Sequence, residues 1–188
     1  MRVSCFGSNN EQPSNLYNEM KLVGELLARR GVGVATGAFG GIGMQAPAEG
    51  AAQTGTNVPI VGYTYGSRSA NKYVHETVDC HEMSKGLPFD ADYCLRLAGL
   101  LSSDAFIVAA GGGPGTFLEL IATINFNQKF WTPMKKVAIL DVPRTGAWDH
   151  SMLDTLKGWG VLNDAVAESI RIVDSAEKAV RWTCEGIE

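Results

Sequence analysis

Residues 105–116 read AFIVAAGGGPGT, an uninterrupted apolar run that is followed at once by glycines. The apolar part has the length of a β-strand, and its lack of polar alternation is typical of a strand covered on both faces. Pro114 stands where the first turn of a helix would begin, because proline is favoured at that position. The stretch therefore predicts a strand, a glycine loop and a helix in immediate succession.

The rest of the chain repeats this alternation of β-rich runs and helical periodicity. Strands are predicted at 2–6, 32–36, 58–62, 136–140 and 170–173, with a weaker one at 74–78. Helices are predicted at 16–30, 114–129, 148–157 and 175–183, and the small-residue stretch 44–54 is predicted to be helical after Pro47. A further helix is predicted from Asp90 or Asp92 to Leu101, and most of 63–89 is predicted as loop. Alternation of this kind produces right-handed βαβ units. We predict an α/β fold, Rossmann-like and doubly wound, with a mostly parallel sheet, helices on both faces, and one domain over residues 1–188.

Composition limits the class of protein. The 188 residues are 45% apolar and 19% charged, which is ordinary for a globular protein. The net charge of −4 argues against a broad nucleic-acid surface, and no run approaches the length of a membrane span. The four cysteines are widely spaced and form no CxxC pair, so they predict no metal site. We expect a cytoplasmic protein with no nucleic-acid partner, no membrane partner and no metal.

Three glycine-bearing loops follow predicted strands, and ligands of parallel sheets bind at the carboxyl ends of the strands. Glycine lets the backbone approach a ligand, and the unpaired N–H groups of a helix start attract an anion. We predict that these loops hold the phosphate of a small-molecule nucleotide or other phosphorylated ligand. The residues concerned are Gly7, Ser8, Gly40, Gly41, Gly112, Gly113, Gly115 and Thr116. The alternative is a set of tight turns without a ligand.

Known nucleotide fingerprints are missing from these loops. The sequence has no GxxxxGK[ST] run, and the spacing of Gly111, Gly113 and Gly115 differs from GxGxxG. A P-loop NTPase and a dinucleotide site are therefore not predicted, and neither is a bound cofactor.

Two charged residues are candidates for chemistry. Arg96 is the single charged residue in the stretch YCLRLAGLL at 93–101. It lies either on the solvent-exposed side of a helix or in a position where it is directed toward a ligand phosphate or a carboxylate. Glu119 lies one turn after Thr116, on the side of its helix opposite the apolar stripe of Phe117, Leu120, Ile121 and Ile124. It is therefore either a solvated glutamate or a carboxylate near the phosphate loop.

A cluster of histidine and glutamate lies on the predicted loop at 63–89. Its members are His75, Glu76, His81 and Glu82. Their spacing matches no specific metal site, so no ligand is assigned to them.

The motif residues resemble those of a known family. SDAFIV at 103–108 and GGPGTFLE at 112–119 look like the signature of the Lonely Guy proteins, long mislabelled lysine decarboxylase-like. The wider SLOG group also includes the molybdenum cofactor carrier proteins. Residues 3–8 and 36–44 resemble the first two loops of that group, so that the resemblance covers roughly residues 2–140.

The resemblance implies a function and site residues. Lonely Guy proteins are phosphoribohydrolases, which split cytokinin nucleoside 5′-monophosphates at the N-glycosidic bond into a free base and ribose 5-phosphate. It implies that Glu119 is the catalytic carboxylate and Arg96 its partner. Leu95 and Leu97 flank Arg96 where the family has HxRK, and Arg96 lies eight residues before Asp104, a spacing closer to the cofactor carrier branch. The alternative is therefore a non-catalytic binding module, either a molybdenum cofactor carrier or a sensor of a nucleotide signal.

Lysine decarboxylase chemistry is rejected, because no lysine lies in a recognisable pyridoxal phosphate context.

The resemblance also implies a homodimer or a higher homo-oligomer. Phe126, Phe130 and Trp131, near the end of the motif helix, would suit a buried contact between subunits. The alternative is that these three side chains cap the core of one subunit.

Overall fold

The sheet of the protein is fully parallel, as seen in a computed structural model that describes residues 1–9, 15–87, 91–142 and 148–186. Seven strands lie in the order β4-β3-β2-β1-β5-β6-β7, and every neighbouring pair is parallel. They are β1 Arg2–Phe6, β2 Gly33–Thr36, β3 Ile60–Thr64, β4 Glu76–Asp79, β5 Ala105–Ala109, β6 Val137–Leu140 and β7 Ile170–Val173. The prediction of a doubly wound, Rossmann-like α/β fold is confirmed.

Eight helices connect or follow these strands in the described parts of the chain. They are α1 Asn15–Arg29, α2 Gln45–Gln53, α3 Cys80–Met83, α4 Ala91–Leu101, α5 Pro114–Lys129, α6 Trp148–Gly158, α7 Asp164–Glu168 and α8 Ala176–Cys184. Among the described residues, no helix combines the length and the apolar character that a membrane crossing requires.

The two faces of the sheet bury separate hydrophobic clusters. Val3 and Ile107 belong to the cluster that includes residues of α1, α2 and α8, whereas Phe106 and Val108 belong to the cluster with α4, α5 and α7. Successive side chains of a strand point to opposite faces, so the central strand β5 contributes to both clusters. This explains why β5 is apolar at every position and fully buried.

Sequence patterns misplaced some element boundaries. The strand predicted at 58–62 is observed at Ile60–Thr64, because Pro59 has no N–H for the ladder and only its carbonyl pairs, accepting from Val34 at 2.9 Å. The strand predicted at 74–78 is the exposed edge strand Glu76–Asp79. The helix that begins at Ala91 contains Asp92 in its first turn rather than before it. Asp90, the other predicted cap, lies outside the described residues.

The chain reverses its direction of travel across the sheet between β1 and β5. From β1 it moves outward through β2, β3 and β4, and it then returns to place β5 on the other side of β1. Such a switch point opens a crevice at the carboxyl ends of the strands. All three glycine loops leave their strands at this crevice.

Candidate ligand site at the carboxyl ends of the strands

A cavity of about 350 Å³ fills the crevice. Its wall combines the ends of β1, β2 and β3 with the inner faces of α4 and α5. The lining residues are Cys5, Phe6, Gly7, Ser8, Asn9, Gly37, Phe39, Gly40, Met44, Tyr65, Arg68, Tyr93, Arg96, Gly113, Pro114, Gly115, Thr116 and Glu119. The structure thus brings Arg96, Glu119 and six of the eight predicted phosphate-binding residues to one cavity.

Gly41 and Gly112, the other two predicted phosphate-binding residues, are not among the residues that line the cavity. A Cβ on Gly41, whose φ is +91°, would lie 2.3 Å from the Asn9 carbonyl carbon. A Cβ on Gly112 would lie 2.4 Å from the Thr116 hydroxyl oxygen. Both glycines therefore serve the close packing of the loops.

The first two glycine loops touch backbone to backbone. A Cβ on Gly43 would lie 2.0 Å from the amide nitrogen of Gly7, and Gly43 N donates to the Ser8 carbonyl at 3.2 Å. No side chain fits between the two loops at this point. The glycines therefore set the shape of this wall of the cavity.

The third loop presents the amino end of α5 to the cavity. Gly113 precedes the helix without a side-chain cap, and Pro114 occupies its first turn. The N–H groups of the first turn have no partner within the helix, and the helix dipole adds partial positive charge there. Together with the buried Thr116, this end of the cavity favours an anion.

Arg96 and Glu119 meet at the inner end of the cavity. Arg96 Nη1 lies 3.4 Å from Glu119 Oε1, and the two residues are only 6% and 7% exposed. Arg96 Nε also donates to the Tyr63 carbonyl at 3.1 Å. The sequence left two alternatives for Arg96, and in the structure its side chain is directed toward a carboxylate. The alternative that Glu119 is a solvated side chain is wrong. Phe117, which the helical periodicity assigned to the apolar side of α5, is 41% exposed in the structure.

Aromatic rings surround the Arg96 guanidinium. Its central carbon lies 5.3 Å from the ring centre of Tyr65, 5.8 Å from that of Tyr93 and 6.0 Å from that of Phe39. Such cation–π contacts stabilise a partly desolvated cation. Sequence reasoning missed these three rings and Arg68. The available signal was position, since Phe39 and Tyr65 follow strand ends and Tyr93 lies one helical turn before Arg96.

Burial raises the pKa of Glu119 to about 7 from its ordinary value of 4.5, although the neighbouring Arg96 charge acts in the opposite direction. The loss of hydration outweighs the attraction because the carboxyl is nearly inaccessible and the distance to the guanidinium is long for an ion pair. Near neutral pH the carboxyl can therefore both hold and release a proton.

This pKa predicts a pH dependence of folding stability. Between pH 4.5 and 7 the folded protein keeps a proton on Glu119 that the unfolded chain has released. The stabilisation that comes from this proton is fully present below pH 4.5 and is lost as the pH rises through 7. The unfolding free energy falls by on the order of 3 kcal/mol over this range. We expect this fall in urea unfolding free energy in the wild type and its absence in Glu119→Gln. Parallel curves for the two proteins between pH 4.5 and 8 would contradict the prediction.

The histidine and glutamate cluster lies apart from the cavity lining. Glu76 begins the edge strand β4 and His81 and Glu82 belong to the short helix α3, not to a loop as predicted. His81 Nδ1 lies 3.5 Å from Asp92 Oδ2. In the described parts of the chain, no group of three or more His, Cys, Asp or Glu residues could hold a metal ion.

The fold and the cavity define a Rossmann-like α/β protein with a candidate ligand site at the carboxyl ends of its strands. The chain belongs to the SLOG cluster 4 family, whose model matches residues 1–142. This confirms the resemblance to the SLOG group.

Solved structures share the fold at low sequence identity. The molybdenum cofactor binding protein from the phototrophic bacterium Rippkaea orientalis is 19% identical with a TM-score of 0.65, over 100% of this chain and 96% of that one. The molybdenum cofactor carrier protein from Chlamydomonas reinhardtii is 14% identical with a TM-score of 0.62, over 95% and 92% of the two chains. Among curated protein sequences, none matches the chain.

Proposed function

We propose that the protein binds a phosphate-bearing nucleotide in this cavity and hydrolyses the N-glycosidic bond of nucleoside 5′-monophosphates. The observation that carries the proposal is the buried Arg96–Glu119 pair at 3.4 Å, facing the same cavity as the amino end of α5. The amino end of α5 offers an anion site, and Glu119 offers a carboxylate one turn after Thr116 on the same helix. A nucleoside monophosphate has a phosphate and a scissile glycosidic bond on one ribose, which matches an anion site near a carboxylate.

In the proposed reaction, water attacks C1′ of the ribose and the C1′–N bond breaks. The water oxygen stays on C1′, giving ribose 5-phosphate, and the departing base takes up a proton. The transition state has oxocarbenium character, so positive charge develops at the ribose. Glu119 as carboxylate stabilises that charge and accepts a proton from the attacking water. Arg96 orients the carboxylate and keeps a fraction of it ionised at neutral pH.

Glu119 is the one carboxylate among the described residues that line the cavity. Glycosidases usually use two carboxylates, one as acid and one as nucleophile or base. We therefore propose that Glu119 serves both to activate water and to return the proton to the base. Its pKa of about 7 suits both roles.

The second candidate is a non-catalytic binding module, a molybdenum cofactor carrier or a nucleotide-signal sensor. It is favoured by the likeness in fold to proteins whose names state molybdenum cofactor binding or carriage. It is also favoured by the spacing of eight residues between Arg96 and Asp104, which is closer to the cofactor carrier branch, whereas Leu97 matches neither the lysine of the hydrolase motif nor the asparagine of the carrier motif. In that case the same glycine loops hold the phosphate of a ligand that is kept, not cleaved.

A product assay distinguishes the two candidates. The full chain is incubated with a panel of nucleoside 5′-monophosphates, and released base and ribose 5-phosphate are followed by mass spectrometry. We expect release in amounts well above the protein concentration. Absence of release, with nucleotides or a phosphorylated cofactor still raising the melting temperature, would support the binding module instead.

We further propose a homo-oligomer that uses the end of α5. Phe130 is 68% exposed, and the centre of its ring lies 5.2 Å from the centre of the Phe126 ring. Phe126 and Trp131 are partly buried and pack against the core. A large exposed aromatic side chain of this kind is typical of an interface. Light scattering should give at least twice the chain mass of 20.1 kDa for the wild type and a lower mass for Phe130→Ser. A wild-type mass of one chain would refute the oligomer.

A further inference from the structure

Arg68, which sequence reasoning missed, points to the class of base that the site accepts. We propose that Arg68 contacts the base of the bound nucleotide and selects a base with an oxygen at its edge over one with an amino group. The proposal rests on the nucleotide binding proposed above and concerns only the end of the cavity that lies away from α5.

Arg68 lies on a short wall of the cavity, residues 65–71, which is fixed at two points. Gly66 N donates to Asp92 Oδ2 at 2.9 Å. The Asn71 side-chain amide donates to the carbonyl oxygens of Ala38 at 2.8 Å and Phe39 at 2.9 Å. The wall is thereby attached both to α4 and to the second glycine loop, so Arg68 has a defined place beside the cavity.

The guanidinium of Arg68 is held over an aromatic ring and retains its donors. Its central carbon lies 4.3 Å from the ring centre of Phe39, and the residue is exposed. Within the described residues, no carboxylate or hydrogen-bond acceptor pairs with it. Arg96, the other cation of the lining, is already engaged by Glu119 and the Tyr63 carbonyl. Arg68 is therefore the cation of the described lining whose side-chain donors are all left for a ligand.

The sheet separates Arg68 from the anion site. The α5 loop follows β5 and the Arg68 wall follows β3, and the strand order β3-β2-β1-β5 places three inter-strand spacings between them. Three spacings amount to roughly 14 Å between the strand ends, and the Arg68 side chain shortens this separation by reaching the Phe39 ring in the loop after β2. A nucleoside monophosphate carries its phosphate and its base at opposite ends. With the phosphate at the start of α5, its base extends toward Arg68.

The chemistry of the guanidinium sets the preference. It offers N–H donors in a fixed fork and no acceptor. The edge of a 6-oxopurine presents two acceptors, O6 and N7, whereas adenine presents an amino donor beside N7. Arg68 therefore pairs with both atoms of the first edge and opposes the amino group of the second. A 6-oxopurine nucleotide is the expected ligand class.

Calorimetric titrations with three probes test this inference. Inosine 5′-monophosphate and adenosine 5′-monophosphate differ at the purine 6-position, and ribose 5-phosphate lacks the base. Each is titrated into three full-length proteins, one with the native Arg68 (the wild type at this position), one with Arg68→Ala and one with Arg68→Lys, all carrying Glu119→Gln so that the nucleotides are not cleaved during the titration. We expect the inosine nucleotide to bind about tenfold more tightly than the adenosine nucleotide in the wild type, since hydrogen bonds to a charged group are gained.

Both variants should lose this preference, because lysine keeps the charge but not the planar fork. Ribose 5-phosphate should bind all three proteins within twofold. Equal affinities of the two nucleotides in the wild type, or an equal loss for both in Arg68→Ala, would overturn the role of Arg68 while leaving nucleotide binding intact. If none of the three probes binds the wild type, the proposed function fails together with this inference.

Discussion

Replacing Glu119 with glutamine is expected to reduce release of ribose 5-phosphate by about 10³-fold, a typical effect of losing a general base. Glutamine has nearly the same shape and still accepts a hydrogen bond from Arg96, which lies 3.4 Å from the carboxylate in the wild type. It cannot accept the proton of the attacking water or balance positive charge on the ribose. Nucleotide affinity should change little, because the phosphate is held by the glycine loops and the N–H groups at the start of α5 and not by the carboxylate.

Glu168→Gln is the matched control, since this glutamate is exposed at the end of α7 and outside the cavity lining. Its turnover should equal that of the wild type. Mass spectrometry of base and ribose 5-phosphate gives the rates, and calorimetry gives the affinities. Full activity of Glu119→Gln would remove the carboxylate from the mechanism. Loss of binding together with loss of activity would show that Glu119 holds the ligand instead.

Gly37→Ala should affect the site nearly as strongly as a change of Arg96 itself. A Cβ at position 37 would lie 1.7 Å from Arg96 Nη2 and 2.8 Å from Met44 Sδ, so the guanidinium has to move. An Arg96 that moves leaves Glu119 buried without its partner. We expect turnover to fall about 100-fold and unfolding free energy to fall by roughly 2 kcal/mol, less than for a fully ionised pair because Glu119 can take up a proton.

Gly158→Ala serves as the control for Gly37→Ala. A Cβ at position 158 meets nothing within 4 Å, and the residue ends the helix α6. This variant should keep its turnover and change in stability by less than about 0.5 kcal/mol. Rates and urea unfolding measure both effects. Wild-type turnover in Gly37→Ala would mean that the position of the Arg96 guanidinium does not matter for the reaction.

Much of the fold could be predicted because its central strands are buried on both faces. Such strands are continuously apolar, as in β5, and the glycines after them mark the loops. The short helices α3 and α7 escaped prediction because they have too few residues to show periodicity. Each begins instead at a capping side chain that accepts from backbone amides: Asp79 accepts from His81 N and Glu82 N, and Asn163 accepts from Val166 N.

The candidate site was predicted only in part, because its residues come from several elements that are distant in sequence. The motif indicated Arg96 and Glu119, but a helical wheel assigned Glu119 to the side of α5 away from its apolar stripe, as if that side met water. In the structure this side meets a cavity whose other walls come from β1, β2 and β3. A wheel describes one helix and contains no information on what distant strands place beside it. Phe39, Tyr65 and Arg68 were missed on the same ground.

The backbone contact between Gly7 and Gly43 makes one part of the cavity wall intolerant of amino-acid substitution, whereas another part of the wall can change its sequence. Any side chain at either glycine would force the two loops apart, so that the rim they form has one permitted shape. The wall at 65–71 is different, because its exposed positions can change residue without disturbing its two anchoring contacts. A library intended to retarget the pocket should therefore randomise positions 67–69 and leave the glycines untouched. Related chains that diverge in ligand choice would be expected to differ at those same positions.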